Sequence, residues 1–284
     1  MIAFVAFQKG RAYGELQMTA RMGDALELIS VPAENRKYKT PLLFLHGAHA
    51  GAWCWAEYFM PWFAARGWET HAVSLSGHGG SPGNDYLDAL SIDNYVDDLH
   101  EAIASLPRPP VVLGHSMGGF VVQQYLEHAR LPGAALLCSV PPTGLAGSAL
   151  GLAMQRPGLL IDLGRLAGGG TISTRGLVDA MFHKPMPEAL VRRYFGQMQS
   201  ESQRAIWDML GFNLPRIRPD HCDKVLVFGT RHDRLIPESA VRQTASAWSV
   251  EPVLAEEIGH GFMLEPGWQA IAETIETWLA PRFD

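Results

Sequence analysis

Short apolar runs that end in turn residues recur along the chain: ALELISV (25–31), PLLFLHG (41–47), ETHAVSL (69–75), PVVLGHS (110–116) and GAALLCSV (133–140). Each predicts a strand, because a brief apolar segment bounded by Gly, Pro or Ser suits a buried extended chain. Between these runs the period changes. WCWAEYFMPWFAARG (53–67), SIDNYVDDLHEAIASL (91–106) and GGFVVQQYLEHAR (118–130) carry helical spacing, as Tyr95, Leu99 and Ile103 do along one face, and Ser91 is placed to cap its helix. From 141 to 220 the strand pattern lapses. There PEALVRRYFGQM puts Leu190, Val191, Tyr194, Phe195 and Met198 on one face, and SESQRAIWDML has capping-box spacing at Ser200 and Gln203. KVLVFGT (224–230) and PVLAEEI (252–258) restore the strands before a closing helix, WQAIAETIETWLA. Such alternation predicts an α/β fold, a mostly parallel central sheet with helices on both faces. Residues 1–140 and 221–284 form its core, and 141–220 enter it as an inserted helical cap.

Composition narrows the function. With 284 residues, 47% hydrophobic and 18% charged, the chain can bury one large core. A net charge of −6 and no basic run beyond ENRKYK (34–39) exclude a nucleic-acid footprint and leave a small molecule as the expected partner. MIAFVAF is far shorter than the roughly 20 residues that span a bilayer, so the expectation is a cytoplasmic protein with no membrane partner. Cys54, Cys138 and Cys222 are odd in number and lack a C-x-x-C pair; they read as core hydrophobes, not as a disulfide framework or a thiolate zinc site. The pattern leaves oligomeric state open.

One turn carries chemistry. Gly114-His115-Ser116-Met117-Gly118 matches G-x-S-x-G and joins a strand run to a helix, the context in which a serine is raised on a strained turn beside helix N-terminal amides. A serine hydroxyl needs a base and a group to orient that base. In the chain order serine, acid, histidine, the candidates are Asp233 and His260, each just beyond a predicted strand end. Asp223 precedes its strand and lies at the opposite edge, while His232 sits on the acid's own loop. The backbone amides of Ala48 and Met117 are the candidate oxyanion donors, with His46 bracing the Ala48 loop by hydrogen bonds. His49 is a candidate pocket residue. In the cap, Met154, Phe182, Trp207 and Phe212 are candidates for an apolar pocket roof, and Gly168-Gly169-Gly170 for a mobile loop. SGHGGSPG (76–83) lacks both G-x-G-x-x-G and a Walker lysine, so no phosphate cradle is expected.

The ordered motifs HGAHAGAWCW, GHGGS, GHSMGG, GTRHDRLIP and GHGFMLEP resemble the α/β-hydrolase superfamily over nearly the whole chain. The H-G-A-x-x-G-A-W-x-W run is similar to the branch of plant methylesterases, hydroxynitrile lyases and bacterial esterase-like hydrolases. That resemblance implies Ser116 as nucleophile, His260 as base, Asp233 as its orienter, and no cofactor or metal. Serine at the elbow argues against the superfamily's dehalogenases and epoxide hydrolases, which carry aspartate there. Ester hydrolysis is the default expectation; carbon-carbon bond hydrolysis, cyanohydrin cleavage and a low-turnover ligand receptor remain open.

Overall fold

The computed structural model describes residues 19–21, 25–147 and 174–284. Within them the apolar runs assemble into one eight-stranded sheet. Its strands are β1 (Thr19–Arg21), β2 (Leu28–Val31), β3 (Leu42–Leu45), β4 (Thr70–Val73), β5 (Val111–His115), β6 (Gly133–Leu137), β7 (Val225–Thr230) and β8 (Val253–Ala255). They lie in the order β1-β2-β4-β3-β5-β6-β7-β8. β2 pairs antiparallel with β1 and β4, and every other pairing is parallel.

Parallel strands need crossovers, and these supply the helices: α1 (Trp53–Ala56), α2 (Phe59–Ala64), α3 (Ile92–Ala104), α4 (Met117–His128), α5 (Thr174–Met181), α6 (Glu188–Phe195), α7 (Gln203–Trp207), α8 (Glu238–Ala247) and α9 (Trp268–Leu279). Every residue of β3, β5, β6 and β7 is buried, so these strands read as unbroken apolar runs. Their alternate side chains feed two separate cores. Leu43 and Leu45 pack with Tyr95, Leu99, Phe120 and Val241 on one face, whereas Leu42 and Phe44 pack with Trp55, Phe59, Phe63 and Ile275 on the other. Three residues, Ser116, Asp233 and His260, follow β5, β7 and β8 at the same sheet edge.

Local chemistry explains most boundaries. Ser91 caps α3 in a full capping box, its hydroxyl accepting from Asn94 N while the Asn94 side chain accepts from the Ser91 amide. The helix expected over 53–67 breaks into α1 and α2. Pro61 lacks an amide hydrogen and its ring crowds the carbonyl four residues back, at Glu57, where the chain leaves helical angles at Tyr58 (φ −138°). The cap of α7 is Ser202, whose hydroxyl accepts from Ala205 N at 3.1 Å, and not Ser200. Capping spacing could not separate two serines two positions apart. β1 has no counterpart in the sequence reading, since Thr-Ala-Arg shows no apolar alternation; its pairing is main-chain, Ala20 opposite Ile29.

The described part of the segment between β6 and β7 contains α5, α6, α7 and a single π turn (Asp208–Phe212), and no strand. Met154 and Gly168 to Gly170 lie outside the described residues. No helix among the described residues is long and apolar enough to cross a membrane. All three cysteines are buried as free thiols.

Candidate active site

β5 runs directly into α4 through one residue. Ser116 has φ 54° and ψ −117°, a left-handed conformation that a side chain adopts only when its surroundings impose it. The imposing contacts are main-chain: Ser116 N donates to Leu137 O at 3.0 Å, and Ser116 O accepts from Gly119 N and Val140 N at 3.1 and 3.2 Å. Flanking glycines allow the neighbours to close in. A Cβ on Gly47 would stand 2.9 Å from Ser116 Cβ, so the loop after β3 packs directly on the serine. One on Gly118 would meet Leu45 O at 2.7 Å and His46 O closer still. Alanine there gains helix propensity of about 1 kcal/mol, yet the clash with fixed backbone outweighs it. Gly118→Ala is therefore expected to lower unfolding free energy by about 1 to 3 kcal/mol, read from urea denaturation; an unchanged midpoint would show that the β3 exit yields freely.

Asp233 and His260 meet in the interior. His260 Nδ1 donates to Asp233 Oδ2 at 2.6 Å, with the residues 2% and 7% exposed. Asp233 Oδ1 accepts from the amides of Leu235 and Ile236, both at 2.8 Å. The aspartate thus caps its own turn and orients the imidazole with separate oxygens. A proton held on Nδ1 leaves Nε2 as the basic nitrogen. Neutral His115, the residue before Ser116, donates from Nε2 to the His260 carbonyl at 3.0 Å, and the two rings lie 4.6 Å apart. Burial, and next His260, keep the His115 pKa well below the usual value. Serine and histidine loops are thereby tied together through adjacent residues.

His115 and Cys138 escaped sequence reasoning. Cys138, at the exit of β6 with φ 46°, puts its sulfur within 4.8 Å of both the Asp233 carboxylate and a His260 ring nitrogen. Burial, then Asp233, pushes its thiol pKa well up, so it stays protonated and unreactive. The spacing of cysteines alone carries no sign of such a neighbour.

His46 braces the Ala48 loop as expected. Leu75 N donates to its Nε2 at 3.0 Å, which fixes the proton on Nδ1 facing Gly47 O at 2.8 Å. Burial, then nearby His78, lowers its pKa to about 3, so it is neutral. Among the described residues neither the Ala48 nor the Met117 amide meets a protein acceptor, although Met117 is wholly buried. A buried amide without a partner, as at Met117, is rare.

His49 is held by the segment that leaves α6. Its Nδ1 donates to Gln199 O at 2.9 Å, its amide to Glu201 Oε2 at 3.3 Å, and its carbonyl accepts from Gln199 N at 3.1 Å. Burial lowers its pKa. Phe182 is buried against Phe195, their ring centroids 6.3 Å apart, and its ring abuts Gly261 beside His260. Trp207 and Phe212, the other two roof candidates, are 55% and 78% exposed and pack edge to face on each other at 5.8 Å.

A family model described as "Alpha/beta hydrolase family" matches residues 42–274. Methylesterase 3 of Arabidopsis thaliana is 34% identical over 91 residues, a stretch covering 31% of this chain and 34% of the relative. Monoacylglycerol lipase of Mycolicibacterium smegmatis is 26% identical over 233 residues, 76% of this chain and 80% of the relative. Among solved structures, an esterase from Exiguobacterium antarcticum superposes with a TM-score of 0.68 at 18% identity, covering 92% of this chain and 98% of its own. Pyrethroid hydrolase of Sphingobium wenxiniae and the methylesterases match over about a third of their length. With the elbow, the sheet order and a family match over most of its length, the chain belongs to the alpha/beta hydrolase family.

Proposed function

We propose that the protein is a serine esterase acting through an acyl-enzyme on a small ester with an apolar or aromatic acyl group. The observation that carries this reading is the 2.6 Å bond from His260 Nδ1 to Asp233 Oδ2, at the sheet edge where Ser116 sits on its left-handed turn. His260 Nε2 takes the Ser116 proton as Oγ attacks the carbonyl carbon, and Asp233 stabilises the imidazolium that forms. The Ala48 and Met117 amides bind the tetrahedral oxyanion, each donor contributing about 2.7 to 4 kcal/mol to lowering the barrier. His260 then protonates the leaving alcohol, and water, deprotonated by the same nitrogen, releases the acid. In this reading residues 141–220 are the cap over the site. Phe182, buried beside Phe195 and against Gly261, supports an apolar acyl group in this reading. The names of relatives, methylesterase and monoacylglycerol lipase, agree with an ester substrate.

The same residues can serve carbon-carbon bond hydrolysis or cyanohydrin cleavage, so the test is comparative. Purified protein is offered p-nitrophenyl butyrate, a vinylogous diketone and mandelonitrile at equal concentration. Repeated turnover of the ester, faster than of the other two, is the expected result. Faster cleavage of either alternative would replace the ester reading. Thermal stabilisation by ligands without repeated turnover would replace it with a receptor.

A further inference from the structure

Beside the Asp233–His260 pair, but facing solvent, lies a second group of side chains. His183 and His232 stack with ring centroids 3.7 Å apart and planes 11° from parallel. Glu257 Oε2 lies 3.6 Å from His183 Nε2, and one ligand atom from each of the three falls within 4.8 Å of the others. Tetrahedral zinc, with bonds of about 2.0 to 2.2 Å to imidazole nitrogen and carboxylate oxygen, needs ligand atoms about 3.3 Å apart. The stacked rings hold their nitrogen lone pairs in parallel planes, so binding one ion also requires the stack to open; His232 and Glu257, both exposed, are the side chains placed to turn, while His183 is 27% exposed.

The backbones beneath are fixed. His183 N and Lys184 N donate to Glu265 Oε1 at 3.0 and 2.5 Å, and Gly259 N donates to Oε2 of the same wholly buried carboxylate at 2.7 Å. Gly261 N donates to Met181 O at 2.7 Å. Arg231, preceding His232, donates its amide to Ala255 O at 2.9 Å. Two neighbouring cations are already engaged: Arg231 with Glu238 and Glu256, Arg234 with the Asp179 carbonyl. Glu257 pairs with no Lys or Arg among the described residues, so its charge is available. Two imidazoles and one carboxylate form a donor set suited to zinc, with a fourth position left for water.

We propose that His183, His232 and Glu257 form a binding site for Zn²⁺ that ties together the loops after α5, β7 and β8. The thiolate-free donor set explains why cysteine spacing gives no sign of it. This inference is independent of the esterase reading, because it concerns binding and not turnover. Zinc held here bridges the residue next to Phe182, the residue next to Asp233 and the loop leading to His260.

The test uses the full chain, stripped with chelator, titrated calorimetrically with zinc chloride, and melted with and without the metal. One zinc per chain is expected, with a rise in melting temperature that follows occupancy. His183→Ala, His232→Ala and Glu257→Gln are each expected to weaken binding roughly tenfold or more and to lose the rise, while melting as the wild type does without metal. Glu257→Gln, at the most exposed position, keeps the test decisive if a histidine variant folds poorly. No binding at stoichiometric zinc, or unchanged affinity in Glu257→Gln, overturns the proposal. Cys138, Asp233 and His260 are also within metal reach of one another, so Cys138→Ser is included. Loss of binding in that variant, with retention in the surface variants, would overturn the proposal in favour of the buried set.

Discussion

Ser116→Ala is expected to reduce kcat on p-nitrophenyl butyrate by about a million-fold, while unfolding free energy stays within about 0.5 kcal/mol of the parent. The two halves of this expectation have separate causes. In the proposed mechanism activity depends on Oγ, which Cys138 does not replace: it is wholly buried and its thiol pKa is pushed well up, so thiolate is not formed at neutral pH. Stability depends on main-chain bonds from Ser116 to Leu137, Gly119 and Val140, and alanine keeps all of them. Alanine at φ 54° carries nearly the same backbone strain as serine. Residual catalysis of about 10³ to 10⁴ over water, from oriented amides alone, is the expected floor. Parent-like turnover in this variant would remove Ser116 as nucleophile, and a collapsed melting temperature would mean that its hydroxyl has a structural partner.

What the sequence reveals about this molecule follows the range of the interactions involved. Strands β3, β5, β6 and β7 are legible because burial on both faces demands largely apolar runs, a local signal. Ser116, Asp233 and His260 are legible because each follows a strand, so topology alone brings them to one edge. β1 was missed because an edge strand held by main-chain bonds needs no apolar code. Composition does not specify a face, so the exposure of Trp207 and Phe212 was not legible. The polar support of the site was illegible for a different reason. His78 and Glu201 are 123 residues apart and Tyr95 and Glu201 106, and nothing local distinguishes a buried histidine or glutamate from an exposed one. The SGHGGSPG stretch, read only as lacking a phosphate cradle, supplies the cation of that network.

Glu201→Gln is expected to lower stability by about 3 to 5 kcal/mol, a fall in melting temperature on the order of 10 °C. Glu201 is completely buried and receives four donors: Tyr95 Oη and Ser202 N on Oε1, both at 2.8 Å, and His78 Nε2 at 3.0 Å and His49 N at 3.3 Å on Oε2. An amide in its place offers one oxygen, and its NH₂ faces donors. His78 is equally buried, and its Nδ1 donates to Ser76 O at 3.0 Å, so both ring nitrogens carry protons and the ring is a cation. Burial alone would lower the His78 pKa, but the Glu201 charge and hydrogen bond outweigh it and raise the value. Burial likewise pushes Glu201 up, and His78 reverses this, holding the carboxyl at about 2. The pH dependence follows. The raised histidine contributes fully below its ordinary 6.5 and loses that contribution as pH climbs through the folded value. The depressed glutamate contributes fully above its ordinary 4.5 and loses that contribution as pH falls toward 2. The stability gap between parent and Glu201→Gln is therefore widest between pH 4.5 and 6.5 and narrows on either side, measured by urea denaturation across pH. A gap independent of pH would mean that His78 is neutral and the carboxylate acts only as a hydrogen-bond acceptor. Because Glu201 and Gln199 also grip His49, next to the Ala48 amide, loss of the pair loosens the loop that faces Ser116, so stability and turnover fall together.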